Sequence, residues 1–406
     1  MTKRRPHIAV FDLITSIGGV QFVLYGLLPR LKNGYDISVI DPYRNADYAR
    51  RCTELGLNVV RLGTRPRTPY VGHKTHPTLR CLKLLGRSQW FLSVGLLLRR
   101  WLRKNNVDIV YFNQRSSTEL FSRFVPKGVS QIYHCHGLTG PADVSSRLRK
   151  VLNTRIHATI AVSEKTKELL IEAGVPSDRI HVIYNGIDVE RYCESASVVD
   201  GKLPARDPGE IVFVHPASII HFKGQDVALE AFARIAPAVR SQLWFCGDVG
   251  SGGSKEYLQR IRDRVKELGL QNRVHFLGWR HDVAHVIASS DVCILPSQYE
   301  SFGMVLAEAM ALAKPCIGTN RGGVPEVIED GVTGYIREPT ASAFAEAMQA
   351  LCDKPELRIR MGANGNTKCI DSFTTDRQAA DLVRTLATHC RRSEPSPSEQ
   401  SGEHHR

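Results

Sequence analysis

The chain has 406 residues, of which 42% are hydrophobic and 23% charged, ordinary globular values for two or three domains with sizeable cores. Its 54 Lys and Arg against 41 Asp and Glu give a formal charge of +13, which favours anionic partners without choosing among nucleotide, nucleic acid and anionic membrane. Ten cysteines are scattered without a C-x-x-C pair, which argues against zinc ribbons and redox motifs and suits a reducing cytosol.

From the N-terminus, the run Ile8 to Ile14 is interrupted by Asp12 and lacks the apolar region and cleavage site of a signal peptide. The longest nearly apolar stretch, Trp90 to Leu98, is far below the roughly 20 residues that span a bilayer. Short β-branched runs alternate with helical patterns throughout, which predicts parallel α/β sheets. In the first half His7–Asp12, Ile37–Ile40, Val107–Phe112, Gln131–His134 and Thr159–Val162 read as strands, with Asn58–Arg61 a weaker one. Val20–Leu31 and Lys165–Ala173 read as helices, the second opened by Ser163 as N-cap. Polar Ser195 to Gly209, with Pro204 and Pro208, reads as a linker between a first domain over 1–194 and a second over 210–373. Strands then restart at Ile211–His215, Gln242–Cys246, Val274–Phe276, Val292–Leu295 and Pro315–Gly318. Residues 374–391 suit a last amphipathic helix, and the polar end over 392–406 is expected to be disordered.

The most informative run is Pro296 to Ile336. A strand ends at Leu295, a loop follows, and a helix starts near Phe302 or Gly303, whose unpaired N–H groups can hold a diphosphate. Glu300 lies just before that helix, within reach of a sugar hydroxyl, and Glu308 lies about two turns inside, placed to accept from a ribose. Two isolated glutamates would more simply be solvated charges.

The whole run, however, resembles the donor-site signature of glycosyltransferase family 4: Glu300-Ser301-Phe302-Gly303, Glu308-Ala309-Met310-Ala311, Pro315-Cys316-Ile317 and Gly322-Gly323-Val324-Pro325-Glu326. Ile17-Gly18-Gly19-Val20 is similar to the family's first-strand glycine loop, and Phe276 to Ser297, with Gly278 and Trp279, to its base-lining stretch. Tyr133-His134-Cys135-His136-Gly137 stands where a family histidine faces the reaction; His136 is preferred and His134 is the competitor. His221-Phe222-Lys223-Gly224 resembles the phosphate-lysine segment. The Arg that usually precedes that lysine is absent, Ala217, Ser218 and Ile219 standing there instead, with Arg280 or Arg321 as candidate replacements.

The resemblance implies a GT-B α/β fold, two Rossmann-like α/β/α domains facing across a cleft, with the acceptor on the N-terminal side. It implies a retaining glycosyltransferase using a nucleotide-sugar co-substrate, UDP- or GDP-linked, and a saccharide or lipid-linked saccharide acceptor in bacterial cell-surface polysaccharide or lipopolysaccharide synthesis. His136 and Glu300 become the catalytic pair. Gly18, Gly19, Lys223, Ser301, Phe302, Gly303, Met304, Val305 and Glu308 become the donor-binding set. No Asp-x-Asp occurs, so no metal is expected, and leaving-group charge would be met by Lys223 and the helix N-terminus.

Arg80 to Lys104 sets seven cations beside Trp90, Phe91 and Trp101, which suits either an anionic membrane surface or two ordinary helices with solvated basic faces. A cytoplasmic protein, peripheral on the inner face of the membrane, fits the first alternative. Rival functions are a nicotinamide dehydrogenase, an epimerase on the same fold and a catalytically inactive nucleotide-sugar-binding subunit. Gly247 to Gly253 lacks the spacing the dehydrogenase requires. Nucleic-acid binding would rest on net charge alone and is not expected.

Overall fold

The computed structural model describes residues 4–14, 17–63, 77–250 and 253–389, with backbone alone over 77–87. Seven strands form the first sheet: β1 (His7–Phe11), β2 (Asp36–Ile40), β3 (Asn58–Val60), β4 (Ile109–Phe112), β5 (Ser130–Cys135), β6 (Ala158–Ala161) and β7 (Ile180–Val182). Six form the second: β8 (Ile211–Pro216), β9 (Ser241–Cys246), β10 (Val274–Gly278), β11 (Val292–Leu295), β12 (Cys316–Thr319) and β13 (Gly334–Arg337). Their orders are β3-β2-β1-β4-β5-β6-β7 and β10-β9-β8-β11-β12-β13, parallel throughout.

The central strands are continuous apolar runs because helices cover both faces, leaving no side for polar alternation. β4 is buried at every position, as are β8, β9 and β11. Strand order reverses between β1 and β4 and again between β8 and β11, and a doubly wound sheet opens a crevice beyond its carboxyl ends at such a point. Both crevices open into one interdomain cleft, and every loop that builds the site leaves one of these strand ends.

The chain crosses between domains earlier than composition indicates. Helix Val189–Ser195, placed in the first domain from the sequence, contributes Val189 and Tyr192 to the second-domain core, beside Met310 and Phe302. The crossing is therefore Asn185 to Asp188, while Ser195 to Gly209 runs over the second domain. The polar composition there reflects exposure, not a domain boundary.

The last helix, Thr375–His389, returns to the first domain, where Ala379, Leu382 and Leu386 share a core with Leu24, Leu28 and Val39. The two crossings pair with each other: Ile187 N–H donates to Phe373 O at 2.8 Å and Thr375 N–H to Ile187 O at 3.0 Å. Arg30 ties them with ion pairs to Asp376 at 2.5 Å and Asp188 at 3.1 Å.

Because this helix fills the first-domain core, Leu382→Ala is expected to cost about 2–5 kcal/mol of first-domain stability. Urea unfolding followed by tryptophan fluorescence measures it. A change within about 0.5 kcal/mol would show that the helix is dispensable to that core.

Candidate functional site

A cavity of about 270 Å³ lies between the domains, lined by Gly19, Val20, His136, Lys223, Glu300, Ser301, Gly303, Met304 and Val305 among others. The residues expected to act together thus come together, from five strand-end loops. Glu308 opens instead into an adjoining cavity of about 390 Å³ that shares Gly19, Val23 and Met304 with the first. Gly18 stands one residue before the helix Gly19–Leu31 as its N-cap. Gly278 and Trp279 line neither cavity, and Trp279 is 60% exposed at the end of β10. Phe302 meets the cavity with its backbone, because its ring is buried against Tyr184 and Phe373.

Two helix N-termini face this space, one from each domain. Gly303 takes φ +96°, a left-handed turn that lets the chain leave β11 and enter helix Met304–Ala311 at once. The first N–H groups of both helices have no intrahelical partner and carry the positive end of the dipole. Gln21 Oε1 accepts from Gly18 N–H at 2.9 Å and fixes the glycine loop.

Lys223 and Glu300 meet across the cavity at 2.5 Å, with side chains only 22% and 12% exposed. The loop carrying Glu300 is held through its backbone. Gly323 N–H donates to Glu300 O at 2.9 Å, and Gly322, at φ +60°, lies so near that a Cβ would stand 1.8 Å from that same oxygen. The glycine pair is therefore a steric requirement. Ser301 Oγ donates to His136 O at 2.7 Å, joining this loop to the first domain. Glu326 completes the link, accepting from the N–H groups of Glu164 and Lys165 at 2.8 and 3.0 Å, at the start of helix Glu164–Glu172.

His136 is held by residues that sequence reasoning passed over. Its Nε2 lies 2.7 Å from Asn113 Oδ1, and Asn113 Nδ2 donates to Asp12 Oδ2 at 3.2 Å. A carboxylate only accepts, so Asn113 must turn its amide toward Asp12 and its oxygen toward His136, which places the imidazole proton on Nε2 and leaves Nδ1 as an acceptor. Burial pushes His136 down to about 3, so the ring is neutral at working pH. Burial also raises Asp12 to about 6, opposed by the amides of Asn113 and Gln21. His134, the competitor, bonds Tyr111 at 2.5 Å deep in the sheet and lines neither cavity. Asp12 and Asn113 each follow directly on a buried strand of a doubly wound sheet, the one signal that would have found them.

Glu308 accepts from Tyr192 Oη at 3.3 Å, and burial raises it to about 7. Neither candidate replacement for the missing guanidinium is available. Arg280 forks onto Asp282 at 2.6 and 2.7 Å and Arg321 pairs with Glu338 at 2.8 Å, so Lys223 is the one Lys or Arg lining the smaller cavity.

Two family models match: "Glycosyltransferase Family 4" over residues 17–191 and "Glycosyl transferases group 1" over 202–368. The N-acetyl-alpha-D-glucosaminyl L-malate synthase of Bacillus anthracis is 35% identical over 50% of this chain, and the chain spans about half (52%) of its length. The alpha-maltose-1-phosphate synthase of Mycobacterium tuberculosis is 30% identical over 61% of this chain and 68% of its own. Among solved structures, a glycosyltransferase from Rickettsia africae superposes with TM-score 0.78 at 19% identity, covering 96% of this chain and 100% of the other. HepE of Anabaena in complex with UDP-glucose gives TM-score 0.75 at 20% identity, covering 94% and 99%. Two parallel-sheet domains, a donor-type loop between them and these matches agree: the chain belongs to the GT-B glycosyltransferases of the family 4 type.

Proposed function

We propose that the protein transfers a sugar from a nucleotide-sugar donor to a saccharide or lipid-linked saccharide acceptor, with retention of anomeric configuration and without a metal ion. The observation that carries this reading is the convergence of two helix N-termini and Lys223 on a cavity that also holds Glu300. The N–H groups and the ammonium supply positive charge where a diphosphate leaves, the work a metal would otherwise do.

In the proposed step the bond from the anomeric carbon to the diphosphate breaks. The acceptor oxygen bonds to the same face of that carbon, and its proton passes to the departing phosphate oxygen. Glu300 orients the donor sugar by accepting from its hydroxyls. His136, neutral, accepts a further sugar hydroxyl at Nδ1, with Asn113 and Asp12 holding the ring. Glu308 accepts from the ribose. A UDP-linked donor is supported by the UDP-glucose held by the Anabaena protein of the same fold, with GDP the alternative. The proposed setting is the cytoplasmic face of a bacterial membrane, where cell-surface polysaccharide or lipopolysaccharide is assembled.

A second reading, a subunit that binds nucleotide sugar without transferring it, is favoured by the absence of any guanidinium beside Lys223. A thermal-shift panel of UDP, GDP, ADP and CMP addresses both. The cognate nucleotide at 100 times its dissociation constant is expected to stabilise by about 2.7 kcal/mol. No shift with any nucleotide, but one with NAD, would overturn the donor class; a shift without turnover on any acceptor would select the binding subunit.

The Lys223–Glu300 pair predicts opposite effects of one substitution. Glu300→Gln frees Lys223, so UDP is expected to bind several-fold more tightly while turnover falls by about 100-fold or more. Titration calorimetry with UDP, set beside single-turnover rates, measures both; weaker UDP binding would show that the two residues do not compete.

Glu308 gives a pH dependence. Its folded-state value, about 7, is above the usual carboxylate range, so the native state is penalised as pH rises through that interval and is most stable below it. Glu308→Gln is expected to gain about 1–2 kcal/mol at pH 8 and much less at pH 5, read as a melting-temperature difference. In the wild type kcat/KM for donor should rise with pH to a plateau, with a midpoint near the free enzyme's value of about 7. The variant should lack that step, and an unchanged profile would remove Glu308 from donor binding.

A further inference from the structure

The surplus positive charge of this chain does not gather in the cleft. A third cavity, of about 600 Å³, is lined by Arg99, Arg103, Arg123, Lys127 and Arg155, with no Asp or Glu in its wall. These five side chains come from four segments: the C-terminal half of helix Pro77–Lys104, the short turn Ser122–Phe124, the approach to β5 and the approach to β6. Buried Leu102, Val107, Val125 and Pro126 make its floor.

None of the five pairs with a carboxylate among the described residues, whereas Arg4, Arg30, Arg206, Arg264, Arg280 and Arg337 all do. Five like charges around one hollow repel each other unless an anion enters, and guanidinium groups match phosphate oxygens in paired geometry. The wall includes Val107, Val129 and Arg155, which precede β4, β5 and β6. It therefore sits at the amino ends of these strands, across the sheet from Asn113 and His136, and is no part of the donor cavity.

The same helix shows what carries the phosphate. Trp90, Phe91 and Trp101 pack against the first-domain core, as the alternative of ordinary helices had them, while the side chains of Arg80, Lys83 and Arg87 lie outside the described residues. The exposed apolar groups of this helix are Leu92 at 53%, Leu96 at 55% and Leu97 at 41%. Leu92, Leu96, Arg99 and Arg103 follow one another at spacings of four, three and four, one stripe of the helix that runs from apolar to cationic. Apolar side chains beside a cationic hollow fit a surface with acyl chains under anionic heads.

We propose that this cavity is a binding site for the phosphate headgroup of an anionic membrane lipid, seated there while Leu92 and Leu96 enter the acyl boundary. The site deepens the membrane setting proposed above and uses none of the cleft residues, so it stands or falls apart from the donor chemistry.

The test is sedimentation of the full chain, without nucleotide, with vesicles of phosphatidylglycerol or of phosphatidylcholine alone. Binding is expected to the anionic vesicles and to fall by at least ~20-fold in Arg123→Glu/Arg155→Glu, since each cation near an anionic surface is worth roughly fivefold. Arg103→Glu/Lys127→Glu should behave alike, and both variants should keep the wild-type melting temperature and UDP affinity. Leu92→Ser/Leu96→Ser should weaken vesicle binding yet keep any thermal shift given by inorganic tripolyphosphate at fixed ionic strength. Wild-type vesicle affinity in both charge-reversed variants would overturn the site. A tripolyphosphate shift that both charge-reversed variants lose, without vesicle binding by the wild type, would overturn the lipid as its source and leave a soluble phosphate ligand.

Discussion

The site depends on how one ammonium is balanced. Lys223 and Glu300 are both largely withdrawn from water, and a charge so placed is tolerated only beside its opposite. Here the partner is Glu300, the group proposed to hold the donor sugar. In the proposed function a diphosphate takes Lys223 and releases Glu300 to accept from sugar hydroxyls, which makes the arrival of the leaving group and the freeing of that carboxylate one event. The missing guanidinium sharpens this, because no second cation among the cavity-lining residues is available to take one role while Lys223 keeps the other.

The same loop carries the interdomain contacts. Ser301 bonds the backbone of His136, Glu326 bonds the first turn of helix Glu164–Glu172, and the glycine pair clamps the peptide of Glu300 between them. These links are polar, and apolar contacts stand beside them: Val162 joins the second-domain core and Tyr184 packs on Phe302, as helix Thr375–His389 packs on the first domain. Polar contacts can exchange with water at small net cost, whereas unpacking a core cannot. The paired crossings near Ile187 and Thr374 tie the two domains on the side of that last helix.

Much of this was legible in the sequence. Strands buried on both faces announce themselves as apolar runs, and the segment from Glu300 to Gly323 could be placed because its spacing is dictated by backbone collisions. The edge strands β7 and β13 were missed, being short and half-exposed at most positions. The helix Val189–Ser195 was assigned to the wrong domain because its anchor, Tyr192 on Glu308, is a contact of 116 positions in sequence separation that no local pattern encodes. For Trp90 and Phe91 the sequence left two readings open. Aromatics beside arginines suit an interface or a core in one dimension, and helical phase turns these rings inward and brings Leu92, Leu96 and Leu97 out. The network from Asp12 through Asn113 to His136 spans three strands, so its members are neighbours only once the sheet forms.

Charge, finally, is used in two different ways at the two ends of the first domain. Around the cleft negative charge is muted: burial holds Asp12 up to about 6 and Glu308 up to about 7, and Glu300 is neutralised by Lys223. His136 is held neutral as well, so in the smaller cavity the positive potential comes from backbone dipoles and Lys223. Such a field suits an anion that must leave after each turnover, since several fixed guanidinium groups would retain the product diphosphate. At the far end of the sheet five cations without a carboxylate partner among the described residues surround one hollow, a field that suits the retention proposed there. The net charge of +13 is therefore a poor guide to the cleft and bears instead on the lipid site proposed above.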